Sequence, residues 1–347
     1  VGFLTFPFLF GLLGAEGEYL DITLTYMNCI LTGTLFFIGQ SILNATLNAQ
    51  GDTKSYRNLL IIGFVLNLIL DPWFMYGGIG LPAMGIRGIA LATVLIQALG
   101  CFYLAWRVSA SKLRYPLTLQ RWKPKFSAWG QLARQGIPAS INMMTVAAGI
   151  FVITWFISFF SKEGVAAYGI ATRIEQIILL PTIGLNIAVL TLTGQNNGAG
   201  RMDRIMEMRK VAMNAGLIMM ITGGIALYFA APMMMRFFTD NEQVSSIGAE
   251  YLRIASFTLC SYVILFQTVF MLQGLKKPMI ALWIGLYRQI IAPCAVFYLL
   301  AFVLDWKLQG IWWGIFGVTW SAAIFTLFYG HRILSRMSEA SVQHSKN

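Results

Sequence analysis

The chain has 347 residues, of which 57% are hydrophobic and only 11% charged, with a formal net charge of +11. Soluble domains carry about 25% charged residues, so a water-soluble globular domain is excluded and an all-α polytopic membrane protein remains. Cys29, Cys101, Cys260 and Cys294 show neither CxxC spacing nor clustering, which leaves them as small apolar residues rather than a disulfide framework or metal site.

A helix that crosses a bilayer needs about 20 apolar residues. Nine such segments are predicted, at 26–47, 58–76, 85–106, 135–160, 165–193, 210–232, 251–272, 279–303 and 309–330, and residues 1–13 read as the end of another. The first span carries Gln40, Asn44 and Asn48 at i, i+4, i+8. The second carries Asn67 and Asp71, four residues apart and therefore on one helix face. A carboxylate at membrane depth costs roughly 2.5–3.5 kcal/mol on insertion scales, so it is kept where it pairs, binds an ion or carries a proton. Pro72 follows at once and cannot donate to the carbonyl of Leu68, which adds a free backbone oxygen nearby. The third span carries Thr93 and Gln97. Three polar stripes suggest a polar cavity, although such side chains also serve as interhelical hydrogen bonds.

Further on, Arg173 and Glu175 lie two apart in the 165–193 span and point to different faces. They are candidates for substrate contact or proton relay. The plainer alternative has Arg173 snorkelling to an interface and Glu175 bound to Arg288 or a helix end. Arg288 in GLYRQIIAP reads as structural, and Pro181 and Pro293 are expected to bend their spans.

The basic residues are unevenly placed. Of the 25 Lys and Arg, 18 fall in one alternate set of connections and five in the other. By the positive-inside rule the richer set, with the C-terminal tail, faces the cytoplasm. The run over 107–134 is then a loop against anionic lipid, and no nucleic-acid partner is expected. An internal repeat is also visible. Tyr26–Leu47 leads into Gln50-Gly51 as Tyr251–Leu272 leads into Gln273-Gly274, and Gly88-Ile89 matches Gly310-Ile311, at offsets of 222–225. Such spacing predicts two parallel six-helix repeats. The first two to three spans of the first copy would lie before Val1. The expected division is 1–106 for the amino-terminal lobe, 107–134 for the linker, 135–332 for the carboxy-terminal lobe and 333–347 for a cytoplasmic tail.

The stretches GDTKSYRN (51–58), VLNLILDPWFMYG (65–77), MGIRGIALATV (84–94), GIP (136–138), VAAYGIATRIEQ (165–176) and GQNNGAGR (194–201) resemble the multidrug and toxic compound extrusion (MATE) family, and within it the DinF-like branch. The resemblance implies a two-lobe transporter that exports cationic or amphiphilic compounds in exchange for Na⁺ or H⁺. It implies a coupling site at Asp71 and Asn67, with Asn44 from the preceding span and Thr93 from the next; Na⁺, if it is the ion, would sit at Asp71 and Asn67. Gln40 and Gln97 join Glu175 and Arg173 as further substrate or relay candidates. NorM-like members carry carboxylates in the seventh and tenth spans. The matching spans here hold no Asp or Glu except Glu250 just outside one of them, so coupling is expected to rest on the amino-terminal lobe. No cofactor beyond the coupling ion is expected, the protein is expected to be a monomer, and the location implied is a bacterial plasma membrane. A lipid-linked precursor flippase would need a cavity lined by many basic residues, and only Arg173 and Arg288 lie in spans. A membrane enzyme would need clustered catalytic groups at one face, which the sequence does not offer, and an inactive truncated product is the remaining alternative.

Overall fold

The computed structural model describes residues 2–12, 17–78, 80–111 and 126–346. These are helical almost throughout, and among them the only β pairing is an isolated bridge between Gly78 and Leu81. Among the described residues, eight helices are long and apolar enough to span a membrane, nine if one bent pair counts as a span. Two compact units form, Val1–Trp122 and Lys123–Asn347.

The first unit contains α1 (Gly2–Leu12), α2 (Gly17–Thr32), α3 (Thr34–Ala49), α4 (Lys54–Tyr76) and α5 (Ile86–Ser109). Helix α5 is its axis, and α2, α3 and α4 all pack against it. The span expected as one continuous helix over 26–47 is instead α2 and α3, bent by 50° at Gly33. Three local causes converge there. The Thr32 and Thr34 hydroxyls donate back to the Cys29 and Leu31 carbonyls at 2.6 and 2.7 Å, a pattern that bends helices. A Cβ at Gly33 would meet the Val94 methyls of α5 at 2.8 Å, so the bend occurs where the chain comes closest to α5.

The second unit contains α6 (Phe126–Ser158), α7 (Lys162–Gly198), α8 (Met202–Phe238), α9 (Glu242–Gly274), α10 (Met279–Leu286), α11 (Ala292–Phe297) and α12 (Lys307–Lys346). Here α9 is the axis, packed by α7, α8 and α12. Its apolar window is 67% buried inside the protein, against 11% for α4. The core gathers Phe156, Tyr168, Leu252, Leu259, Phe297 and Trp312 from five helices. Helix α6 begins at Phe126, inside the segment read as a linker, and α12 continues as helix through the segment read as a tail; residues 112–125 lie outside the described ones. Pro181 sits within a continuous α7. Pro293 follows a π turn at Tyr287–Ile291, and a second π turn covers Tyr298–Val303, so the expected 279–303 span alternates between α and π geometry.

Candidate functional site

In the first unit, glycines fix the register of the helices around α5. A Cβ at Gly63 would touch Ile96, and one at Gly100 would touch Leu59, which sets α4 antiparallel to α5. At the far end a Cβ at Gly88 would overlap the Phe74 carbonyl. Asn67 is therefore level with Thr93, and Asp71 with the segment from Gly88 to Leu91. Asn67 and Thr93 thus lie about one turn from the level of Asp71 along the α4–α5 seam, and Asp71 is about a turn and a half from the end of α4.

The segment after Asp71 is tied down. The indole N–H of Trp73 donates to the Gly78 carbonyl at 2.7 Å, and the Met84 and Gly85 amides donate to the Phe74 and Met75 carbonyls at 3.1 Å each. Gly78, Met84 and Gly85 are thus bonded back to the last turn of α4.

Asn44 is placed elsewhere. Gly33 lies against Val94 and Gly39 against the Cys101 sulfur, so α3 runs parallel to α5 and Asn44 is near the level of Leu104. At 1.5 Å per residue that is about 16 Å along α5 from Thr93. The resemblance had grouped Asn44 with Asp71; the register separates them. Gln40 and Gln97 occupy the levels between. Three of these side chains share an unusual state: Asp71 Oδ1, Asn44 Oδ1 and Gln97 Oε1 are buried and have no hydrogen-bond partner among the described residues. Thr93 donates to its own helix, to the Ile89 carbonyl at 3.1 Å, leaving its oxygen free to accept. Buried acceptors without donors cost roughly 1–3 kcal/mol each, and a bound cation or proton removes that cost.

In the second unit Arg173 and Glu175 part as their spacing predicts. Arg173 is exposed and Glu175 is only 5% exposed. Glu175 does not bind Arg288 or a helix end. Its Oε2 accepts from the Tyr251 hydroxyl at 2.8 Å, and its Oε1 is buried without a partner among the described residues. Tyr251 is itself held by aromatic edges, with ring centroids 5.4 Å from Tyr168 and 4.9 Å from Trp312. A cavity of about 210 Å³ opens beside this group. Glu175, Tyr251 and Tyr262 line it together with Arg288 and Gln289 from the first π turn. Gln289 fits because Gly149 of α6 leaves room where a Cβ would overlap its side chain.

Sequence reasoning missed Tyr251, Tyr262 and Gln289. The two tyrosines are eleven residues apart, three helical turns, and so share a face of α9; that spacing was the available signal.

The MatE family model matches residues 1–73 and 138–288. A probable multidrug resistance protein NorM of Thermotoga maritima is 27% identical over 233 residues, which is 67% of this chain and 50% of that protein. The probable multidrug resistance protein YpnP of Bacillus subtilis is 27% identical over 256 residues, 74% of this chain and 56% of that protein. The chain thus spans about half the length of these curated relatives. A crystal structure of MATE in the bent conformation superposes with a TM-score of 0.90 at 22% identity, covering 98% of this chain and 75% of that one.

Proposed function

Because the chain belongs to the MatE family, we propose that it works as a secondary active antiporter that exports cationic or amphiphilic compounds in exchange for Na⁺ or H⁺. The names of its relatives support this reading, since two are probable multidrug resistance proteins. The observation that carries the coupling site is the buried Oδ1 of Asp71, without a hydrogen-bond donor among the described residues, one turn from Asn67. A proton or Na⁺ at Asp71 supplies what that oxygen lacks. Asn67 and Thr93 act as neutral oxygen partners, and Asn44 of α3 and Gln97 of α5 are further acceptors.

Asp71 lies toward the connection between α4 and α5. The charge bias places that connection outside and the C-terminus in the cytoplasm of a bacterial plasma membrane. The ion therefore enters from outside. Its binding stabilises the state with lower affinity for substrate, and substrate leaves outward; the coupling is the difference in affinity between two states.

The test is dye efflux from proteoliposomes of the whole protein under an imposed Na⁺ gradient and, separately, a pH gradient. One gradient drives efflux and thereby names the ion, and Asp71→Asn inserts normally but loses gradient-driven efflux. Full efflux by the Asp71→Asn protein would sink the assignment. No gradient-driven efflux from well-inserted wild type would turn the reading toward a lipid-linked substrate.

A further inference from the structure

The cavity of the second unit holds a carboxyl and a guanidinium that form no direct ion pair with each other. Glu175 projects from α7, and Arg288 from the π turn. The described residues form two ion pairs, Arg107 with Asp52 and Arg201 with Asp203, and neither involves this cavity. Arg288 is held by ring faces instead. Its guanidinium carbon lies 5.5 Å from the Tyr262 centroid and 5.7 Å from that of Phe266, two rings stacked at 10°. Such rings steady a cation without cancelling its charge. On the opposite wall Tyr251 donates to one Glu175 oxygen, and the other, on the side of the cavity that Tyr262 also lines, meets no geometric hydrogen-bond partner among the described residues.

The π turn accounts for the placement. A π turn holds one residue more than an α turn and commonly marks a functional site. Here it carries Arg288 and Gln289 together into the cavity.

We propose that this cavity is a binding site for a small zwitterion, with its ammonium at Glu175 and Tyr251 and its carboxylate at Arg288 and Gln289. A lone cation would satisfy Glu175 but face Arg288, and a lone anion would meet the reverse; either arrangement leaves one buried charge opposed, which discriminates against singly charged ligands. Tyr168 and Phe297 supply apolar walls for a ring or short chain between the charges. As a substrate subsite the cavity extends the transport reading and rests on it; as a binding site it stands alone.

Binding is measured by isothermal titration to the full protein in detergent, with three one-ring probes: 4-(aminomethyl)benzoic acid, benzylamine and benzoate. The zwitterion is expected to bind at least about tenfold more tightly than either singly charged probe. Glu175→Gln is expected to shift preference toward benzoate, and Arg288→Gln toward benzylamine, a reciprocal change that loss of packing does not produce. The titrations are run in detergent with no ion gradient, so failure of gradient-driven efflux and failure of this site are read separately. Benzylamine binding as tightly as the zwitterion and unaffected by Arg288→Gln would overturn the proposal in favour of a plain cation site. No binding of any probe to folded wild type would overturn it as well, leaving Glu175 and Arg288 to balance each other across the cavity.

Discussion

Asp52 shows what a single side chain does just outside the membrane. It accepts from the Ser55 hydroxyl at 2.6 Å and the Ser55 amide at 3.0 Å, and from Arg107 at 3.1 Å, so it joins the turn before α4 to the end of α5. Chiefly through the Ser55 hydroxyl, and despite partial desolvation, its carboxyl is held below the ordinary carboxylate value. A carboxyl lowered on folding contributes stability that is complete above its unfolded value, about 3.9, and disappears as pH falls through the folded value. The Asp52 side chain is 26% exposed and that of Arg107 40%, so the contribution belongs to the surface scale of roughly 0.2–1 kcal/mol. Asp52→Asn is expected to lower the thermal midpoint slightly at pH 7, and the gap between the two proteins to narrow as pH falls below about 3.9. A gap that persists there would assign the effect to something other than the ionised carboxyl. At this scale the sequence was informative about identity and silent about partners. Asp71 and Glu175 stand out because charge inside an apolar run is rare. The Tyr251 hydroxyl and the Tyr262 ring do not stand out, because tyrosine in a span looks the same whether it meets lipid or a carboxylate.

Helices meet here through glycine, and their register decides which polar groups are neighbours. The spacing of Asn67 and Asp71 is legible because it lies within one helix. The distance from Asn44 to Asp71 is not, because it depends on where α3 and α4 slide along α5, and that is set by Gly39, Gly63, Gly88 and Gly100. The bend at Gly33 and the π turn at Tyr287–Ile291 were missed for a related reason: each is a one-residue irregularity that leaves the apolar pattern intact. Gly88 offers the sharpest test. Its missing Cβ would strike the backbone carbonyl of Phe74, which no rotamer change relieves. Gly88→Ala is expected to cost about 1–3 kcal/mol through overpacking. Gly169→Ala, with nothing within 4 Å of the added carbon, is the control and is expected to be neutral or slightly stabilising. Thermal unfolding in detergent ranks the two, and equal midpoints would mean that the α4–α5 seam is not held at Gly88.

For the molecule as a whole, the sequence was most reliable. Nine spans were expected, and eight long helices plus one bent pair are found, because twenty apolar residues have few other fates. Orientation follows from charge alone and is open to direct measurement. In a background without the four native cysteines, Asp240→Cys in the α8–α9 turn is expected to react with a membrane-impermeant maleimide on intact cells. Lys277→Cys in the next turn is expected to react only after permeabilisation. The opposite pattern would invert the topology and, with it, the side from which the ion reaches Asp71.

The burial of α9 has a consequence for how the protein is made. Its Ser256, Thr258, Ser261, Gln267 and Thr268 are enclosed by neighbours, and one of those neighbours, α12, follows it in the chain and is made after it. Until α12 emerges, one side of α9 faces lipid with its hydroxyls bonded only within its own turns, as Thr258, Ser261 and Thr268 are to Ala255, Thr258 and Ile264. The packing around α9 is therefore completed only after α12 has left the ribosome, so the buried hydroxyls of α9 wait for a helix made later than their own.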